Sequence, residues 1–357
     1  MKIAIILGTR PEIIKLSPII RSCDSQQLDY FIIHTNQHYS DNMDKIFFQE
    51  LGLAAAEYNL GIGSGKQGAQ TGKMLMAIEE VLLKTKPDLV LVQGDTNTVL
   101  AGALAAAKLY IKVGHVEAGL RSYDRAMPEE INRIMVDHMA DWLFCPTDKQ
   151  AEILAGEGIS KEKIFITGNT IVDAVLHSVN NINNDLLLKH KLTAGKYILV
   201  TMHRPSNVDD KNMLAKQLNN ISQLATDKDL AVVFPIHPRT LKNIQAFNLV
   251  IPDNIKVTEP CGFVDLITLE KFAKIILTDS GGLQEEGCIL GVPTLNLRAN
   301  TERPECVEAG ASKIVGSDFA KLLAGYNFYD QADFTWTNPF GDGHSAAKII
   351  EICRSGS

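Results

Sequence analysis

Short apolar runs alternate with longer amphipathic stretches along the whole chain. The runs are rich in Ile, Leu and Val and lack polar alternation, which is typical of strands buried on both faces of a parallel sheet. Stretches of helical periodicity lie between them, for example 71–83 and 98–108. The alternation predicts βαβ repetition. The predicted strands are 3–7, 30–33, 89–92, 112–116, 142–145, 164–166, 197–202, 230–234, 255–257, 275–277, 294–297 and 313–315.

The number of predicted strands is enough for two parallel sheets. We place the seam after Thr167-Gly168-Asn169, because the stretch 180–195 is polar and suits a helix and loop that lead into a second sheet. A last predicted helix covers 345–352. A length of 357 residues fits two domains equally well.

Composition and charge narrow the function classes. The formal net charge of −7 argues against a broad nucleic-acid surface. The apolar run 3–7 is too short for a signal segment, and no run approaches the ~18 residues of a membrane span. The six cysteines are scattered, which predicts reduced thiols in a cytoplasmic protein. We find no metal-ligand spacing.

A Gly-rich segment at 63–68 matches G-x-G-x-x-G. No clear buried strand precedes it and no acidic residue ends a following strand at the expected spacing, so we interpret it as a loop. The chain also lacks a P-loop. We therefore expect neither NAD nor ATP hydrolysis, and no cofactor.

Polar clusters follow nearly every predicted strand, although polar side chains are unfavourable in a hydrophobic core. Open α/β sheets bind ligands beyond the carboxyl ends of their strands. Because both halves supply such clusters, we predict a site in a cleft between two facing domains. The clusters begin at Gly8, Gln93, Glu117, His203, His237 and Thr278.

Asp279-Ser280-Gly281-Gly282 indicates a strand end, a glycine turn and a helix start. Ser280 suits the N-cap, and glycines let backbone N–H groups approach a phosphate. An ordinary capped helix after a tight turn is the alternative. Glu286 lies one turn further, where it could accept a ribose diol or simply favour the helix dipole.

Arg10 and Lys15 flank Pro11, which fits the first position of a helix. Cations at a helix N-terminus are unfavourable for helix stability. Their presence therefore favours an anionic ligand over a solvated pair.

Three carboxylate positions come from the first half only: Asp95, Glu117 and the pair Glu129-Glu130. Carboxylates at strand ends suit general acid and base work. Asp95 alone could be a turn or cap residue. Arg133, four residues after Glu129, could be only its helical ion-pair partner.

His203 and His237 each follow a strand in the second half. A lone histidine is more often structural, but His203-Arg204 beside a phosphate-binding turn favours a functional role.

Together these motifs resemble the non-hydrolysing UDP-N-acetylglucosamine 2-epimerase family. They occur in family order from near the first residue to beyond the three-hundredth. The motifs are Gly8-Thr9-Arg10-Pro11-Glu12 with Lys15, Gln93-Gly94-Asp95-Thr96, 115–121, Pro128-Glu129-Glu130-Ile131-Asn132-Arg133, 279–286 and Thr301-Glu302-Arg303-Pro304-Glu305.

The resemblance implies two Rossmann-like domains of the GT-B type. It divides the chain into 1–168 plus 344–357, where the final helix returns to the first domain, and 169–343. It implies an isomerase that eliminates UDP to a 2-acetamidoglucal and adds it back, for surface polysaccharide precursors. Its partners would be a UDP-sugar and UDP, in a cytoplasmic homodimer without nucleic acid or membrane.

The resemblance also assigns residues to the site. Asp95, Glu117 and Glu129 would be the carboxylates around the sugar, and His203 would join the catalytic set. The substrate-binding set would be Arg10, Lys15, Arg133, His237, Phe263 beside the uracil, Ser280, Gly281, Gly282, Glu286 at the ribose, and Arg303.

Some positions depart from many bacterial members. Pro205 and Ser40 replace an Arg and a Gln that line a second, activating sugar-nucleotide site there. The segment from Arg121 to Met127 is short, as in 2-epimerases of UDP-2,3-diacetamido-2,3-dideoxy-glucuronate. That substrate, a GT-B glycosyltransferase and a nucleotide-sugar sensor are the alternative functions.

Overall fold

The computed structural model describes residues 1–37, 47–183, 185–331 and 334–356. The chain divides into two compact units, Met1–Leu176 with Phe340–Ser357, and His177–Pro339. Each unit is an α/β layer structure built on its own parallel sheet.

The first unit contains a seven-stranded sheet in the order β3-β2-β1-β4-β5-β6-β7. Every strand pair in it is parallel. The strands are β1 Lys2–Leu7, β2 Asp29–His34, β3 Tyr58–Asn59, β4 Leu89–Gln93, β5 Lys112–Val116, β6 Trp142–Cys145 and β7 Ile164–Ile166. The α-helices are α1 Arg10–Ser25, α2 Gln67–Thr85, α3 Asn97–Lys108, α4 Pro128–Met139, α5 Asp148–Gly156 and α6 Thr170–Val179, which runs into the second unit.

The second unit contains a six-stranded parallel sheet in the order β10-β9-β8-β11-β12-β13. The strands are β8 Tyr197–Thr201, β9 Ala231–Pro235, β10 Ile255–Thr258, β11 Ile275–Thr278, β12 Thr294–Asn296 and β13 Ser312–Ile314. The α-helices are α7 Asp185–Lys189, α8 Pro205–Val208, α9 Lys211–Lys228, α10 Pro238–Ala246, α11 Phe263–Lys271, α12 Gly281–Leu290, α13 Pro304–Glu308 and α14 Phe319–Asp330; α15 Ser345–Ser355 follows in the first unit.

The predicted fold class is confirmed, because every predicted apolar run forms a strand within a residue or two of its expected bounds. The side chains of the central strands β1, β4, β8 and β11 are almost entirely buried, as parallel strands covered by helices require. The outer strands β7, β10 and β13 each carry an exposed position. The sequence missed β3, a two-residue strand at the sheet edge. The interpretation of 63–68 as a loop was wrong at its end, because α2 begins at Gln67.

The strand order reverses between β1 and β4 in one sheet and between β8 and β11 in the other. At such a switch point the connections leave on opposite faces, and a crevice opens beyond the carboxyl ends. We therefore expect binding and catalytic residues in the turns that follow these switch-point strands. The turns are those after β1, β4 and β5 in the first unit and after β8 and β11 in the second.

Helix α15 packs against α1 in the first unit. Asp173 accepts hydrogen bonds from the backbone N–H groups of Ser345 (3.2 Å) and Ala346 (3.0 Å) at its N-terminus. Ile349, Ile350 and Cys353 are fully buried. Of the helices that the structure describes, none has the length and apolarity needed to cross a membrane.

Candidate active site

The turn after β1 is fastened to the turn after β4 by Glu12. Its buried carboxylate accepts hydrogen bonds from the N–H groups of Gly8 (2.6 Å) and Thr9 (3.1 Å) and from the hydroxyl of Thr96 (2.5 Å). Thr9 is the N-cap of α1 and Glu12 completes a capping box. Sequence reasoning quoted Glu12 within a motif but gave it no role, although the Thr-x-x-Glu spacing is the signal for such a box.

Burial raises the pKa of Glu12 to about 7, outweighing its hydrogen bonds, and the nearby Asp95 charge adds to the effect. A raised folded-state pKa contributes stability below the unfolded value near 4.5, and that contribution is lost as the pH rises through about 7. We expect the free energy of unfolding to fall by about 3 kcal/mol over that window.

Urea unfolding of wild type and Glu12→Gln between pH 4 and pH 8 checks this expectation. The carboxamide does not titrate. The free energy of unfolding of wild type should therefore fall relative to that of Glu12→Gln as the pH rises from 4.5 to about 7. Glu79→Gln, on the exposed face of α2, is the control. Parallel curves for wild type and Glu12→Gln would contradict it.

Glu117 follows β5 directly and has a φ of 67°, in the left-handed region. Lys15 lies 2.6 Å from its Oε1, and Gln93 donates to its Oε2. Both side chains of the ion pair are buried. The structure therefore places Lys15 against a predicted catalytic carboxylate, whereas the sequence suggested only an anionic ligand for it.

Asp95 follows β4 and is held from α4. Arg133 Nη2 lies 2.6 Å from Asp95 Oδ2, and Arg133 Nη1 lies 3.0 Å from Glu130 Oε2. Asp95 is not the cap of α3, since Thr96 occupies that position. The ion pairs of Arg133 join it to Asp95 and Glu130, rather than to Glu129 as a four-residue spacing suggested.

Glu129 and Glu130 are adjacent in sequence but differ in role. Glu129 is exposed in the first turn of α4. Glu130 is 1% exposed and accepts hydrogen bonds from the backbone N–H groups of Ser122 (2.8 Å) and Tyr123 (2.9 Å). These bonds and the Arg133 guanidinium hold the pKa of Glu130 below its usual value, although burial opposes them. Glu130 therefore fixes the short segment before α4.

In the second unit a buried carboxylate orders the turn after β8. Asp279 accepts hydrogen bonds from the N–H groups of His203 (3.0 Å) and Arg204 (3.0 Å) and from Nδ2 of Asn207 (3.0 Å). Its Oδ1 lies 3.3 Å from Nδ1 of His203. Sequence reasoning quoted Asp279 within a motif but gave it no role.

His203 is about one-third exposed, and its ring lies 5.5 Å from that of His237. Desolvation lowers the pKa of His203, and the neighbouring charges of Arg204 and Arg239 lower it further against the opposing effect of Asp279. His237 is exposed and serves as N-cap of α10, where its Nδ1 accepts from the N–H of Arg239 (3.1 Å).

The turn after β11 brings three predicted ligand residues together around two glycines. A Cβ at Gly282 would lie 3.7 Å from both Glu286 Oε1 and Ser280 Oγ, and one at Gly281 would lie 3.8 Å from Arg303 Cγ. Ser280 occupies the N-cap position of α12, but its side chain does not cap the helix. Glycines at a helix N-terminus let a ligand approach the backbone N–H groups closely, as an anion site requires.

Arginines concentrate positive charge beside this turn. Arg303 Nε lies 2.7 Å from Glu285, and Arg204 lies 3.7 Å from Glu302. Burial would raise the pKa of Glu302, but Arg204, Arg298 and Arg303 together hold it below its usual value. These arginines are therefore ion-paired with glutamates in the structure.

Two other predicted residues lie at helix starts. Arg10 is the first residue of α1, with its guanidinium 4.4 Å above the ring of Phe47. Phe263 opens α11 and is only 1% exposed, so its ring is part of the core. Among the residues that the structure describes, no group of three or more His, Cys, Asp or Glu side chains could hold a metal ion.

Comparison with known proteins decides the family. A family model described as UDP-N-acetylglucosamine 2-epimerase matches residues 21–354. The chain belongs to the UDP-N-acetylglucosamine 2-epimerase family. The match includes the turns after β4, β5, β8 and β11 in this epimerase-family chain.

Similar proteins match over nearly the whole chain. The UDP-N-acetylglucosamine 2-epimerase of Methanocaldococcus jannaschii is 54% identical, with 100% of both chains covered. Its crystal structure in complex with UDP-GlcNAc and UDP has a TM-score of 0.90 at 53% identity, again covering 100% of both chains. The UDP-2,3-diacetamido-2,3-dideoxy-D-glucuronate 2-epimerase of Pseudomonas aeruginosa is 38% identical, covering 98% of this chain and 99% of that protein.

Proposed function

We propose that this chain interconverts UDP-N-acetylglucosamine and UDP-N-acetylmannosamine by eliminating UDP and adding it back. The observation that carries the proposal is the pair Asp95 and Glu117, each held in a fixed ion pair at the ends of adjacent strands. The 54% identity to a full-length UDP-N-acetylglucosamine 2-epimerase supports this substrate over the diacetamido-glucuronate.

The chemistry of the substrate explains why the site needs charged groups both beside the departing diphosphate and beside the sugar ring. The C2 proton of the sugar is not acidic, because its neighbouring amide is attached through nitrogen. It becomes removable only as UDP departs from C1 and positive charge develops there. The site must therefore stabilise a departing diphosphate and an oxocarbenium ion.

We assign the nucleotide to the second unit. The glycine turn would supply N–H groups to the diphosphate, with Arg303 and His203 adding charge, and Glu286 would accept the ribose hydroxyls. Because the Phe263 ring is buried, we expect the uracil to meet the backbone at the start of α11 rather than the face of that ring. Arg10 adds a cation from the first unit.

We assign the chemistry at C1 and C2 to the carboxylates of the first unit. Glu117 is paired with Lys15 and suits an anionic group that stabilises the oxocarbenium ion. Asp95 is more accessible, with a side chain 27% exposed, and Glu129 is exposed. These two suit the proton transfers at C2.

Incubation of the pure protein with UDP-N-acetylglucosamine alone in deuterated water tests the proposal. We expect NMR to show the manno-epimer and deuterium at C2 of both sugars. An unchanged sugar with bound UDP-sugar would indicate a sensor, and turnover only with an added acceptor would indicate a glycosyltransferase. Exchange with UDP-2,3-diacetamido-2,3-dideoxy-glucuronate only would move the substrate assignment to that sugar.

The proposed reaction needs no cofactor, because the leaving group drives the loss of the C2 proton. We expect exhaustive dialysis against a chelator to leave the epimerisation rate unchanged. Recovery of a lost rate by a divalent metal ion or NAD would contradict this.

We expect simple hyperbolic kinetics. Pro205 opens α8 and supplies no charged group where many bacterial members have an Arg; Ser40 lies outside the described residues. Loss of one charged phosphate contact costs about 1.5–3 kcal/mol, enough to weaken an activating site at least tenfold. Initial rates from the manno-epimer should not need added gluco-epimer; a sigmoidal curve would contradict this.

We also propose a cytoplasmic homodimer. All six cysteines are free thiols, as a reducing compartment allows. Met76 and Leu83 are 62% and 56% exposed and lie seven residues apart on one face of α2. Light scattering of the pure protein tests the dimer, and Met76→Glu should shift it to monomer if this face is the interface.

A further inference from the structure

His115 is a buried histidine of β5 with no role in the assignments above. It is 1% exposed. Its Nδ1 lies 2.7 Å from Asp137 Oδ1 on α4, and its Nε2 lies 2.8 Å from the carbonyl oxygen of Gly94, in the turn after β4. Both ring nitrogens therefore face an oxygen that can only accept a hydrogen bond.

The protonation of the ring follows from these two partners. A neutral imidazole donates from one nitrogen and presents a lone pair at the other. Either neutral tautomer would aim that lone pair at the carboxylate or at the carbonyl oxygen. Only the imidazolium donates at both positions.

The contacts of His115 join the two turns that carry predicted catalytic carboxylates. Gly94 immediately precedes Asp95, and Glu117 is two residues beyond His115. On the other side of the ring, Asp137 accepts from the N–H of Gly119 at 3.2 Å, so it also holds the chain just after Glu117.

We propose that His115 is a positioning residue, which donates from both ring nitrogens and thereby fixes the Asp95 and Glu117 turns relative to each other. Its catalytic consequence rests on the proposed function. The contacts of the His115 ring and its protonation do not depend on the proposed function.

The charged groups around the ring support the imidazolium. Burial lowers the pKa of His115, but the Asp137 carboxylate, the Gly94 carbonyl and the Glu117 charge outweigh it and raise the pKa. Arg121 opposes them from behind Asp137, with its Nη1 2.7 Å from Asp137 Oδ2. The Cys145 thiol also faces Asp137, and burial and that carboxylate raise its pKa to about 12, so it stays neutral.

Nitrogen-15 NMR of the histidine rings in the wild-type protein tests the protonation directly. We expect one ring, assigned by its loss in His115→Asn, to carry protons on both nitrogens at pH 7 and to lose one only well above that pH. A single protonated nitrogen at pH 7 would overturn the proposal. This result does not depend on whether the protein is an epimerase.

Kinetics test the positioning role. In His115→Asn one donor is lost, so we expect kcat to fall about tenfold or more while the Kd for UDP changes less than twofold. His138→Asn, at an exposed position of α4 next to Asp137, is the matched control and should match wild type. A kcat within twofold of wild type in His115→Asn would overturn the proposal; no epimerisation by wild type would instead contradict the proposed function.

A second variant covers the case in which His115→Asn does not fold. Asp137→Asn keeps an oxygen acceptor but removes the charge that favours the imidazolium. We expect kcat of wild type to fall at high pH as the ring loses a proton. In Asp137→Asn we expect both that fall and the ring titration to move to lower pH. Unchanged midpoints in both measurements would overturn the proposal.

Discussion

Glu117→Gln and Asp95→Asn are expected to lower kcat by roughly 10²–10⁴-fold while leaving UDP affinity nearly normal. Their charges act only as the sugar ionises, so the loss falls on the transition state. Glu286→Ala should show the opposite pattern, because it removes a proposed ribose contact. We expect its Kd for UDP to rise about tenfold or more.

Calorimetry with UDP and single-turnover kinetics on the three variants separate these outcomes. Glu117→Gln also removes the ion pair with buried Lys15, so its thermal unfolding must be compared with wild type. Asp95→Asn is the cleaner variant, since Arg133 keeps its contact with Glu130. If the carboxamide variants lose UDP affinity as severely as Glu286→Ala, the assignment of roles is wrong.

Asp279→Asn is expected to weaken UDP binding by about tenfold to a hundredfold. The carboxylate accepts from two backbone N–H groups and from Asn207, and a carboxamide would turn an N–H₂ group toward at least one of these donors. The turn that presents His203 and Arg204 would then lose its fixed geometry. Without the negative charge, the pKa of His203 should also fall further below its usual value.

UDP titration by calorimetry and NMR titration of His203 measure the two effects. Asp209→Asn is a suitable control, because Asp209 forms an exposed ion pair with Arg239 in the same unit. Exposed pairs contribute little, so this variant should bind UDP normally. Equal UDP affinity in Asp279→Asn and wild type would exclude an ordering role for Asp279.

The strands were predictable because helices cover both faces of each sheet, which leaves an unbroken apolar run in the sequence. The edge strand Tyr58–Asn59 carries no such signal. The strand-end positions of Asp95, Glu117, His203 and Ser280 followed from the same logic. The ligands of these four residues stay predictions.

The partners of these residues could not be read from the sequence. Lys15 and Glu117 are 102 residues apart, and Asp95 and Arg133 are 38 apart. Only the packing of α1 and α4 on the sheet brings such pairs together. The role of Glu12 could have been predicted, because its capping box spans only four residues of sequence.

The position of α15 determines when the first unit can be completed during synthesis. In the sequence, α15 is separated from the rest of the first unit by the second unit, which is roughly 160 residues long. At ~5–20 residues per second, the ribosome needs about 8–30 s to translate that insertion. Throughout this interval the apolar face of α1 and the carboxylate of Asp173 lack their contacts with α15. A nascent chain stalled before Phe340 should therefore be more susceptible to proteolysis and chaperone capture in its first unit than in its finished second unit.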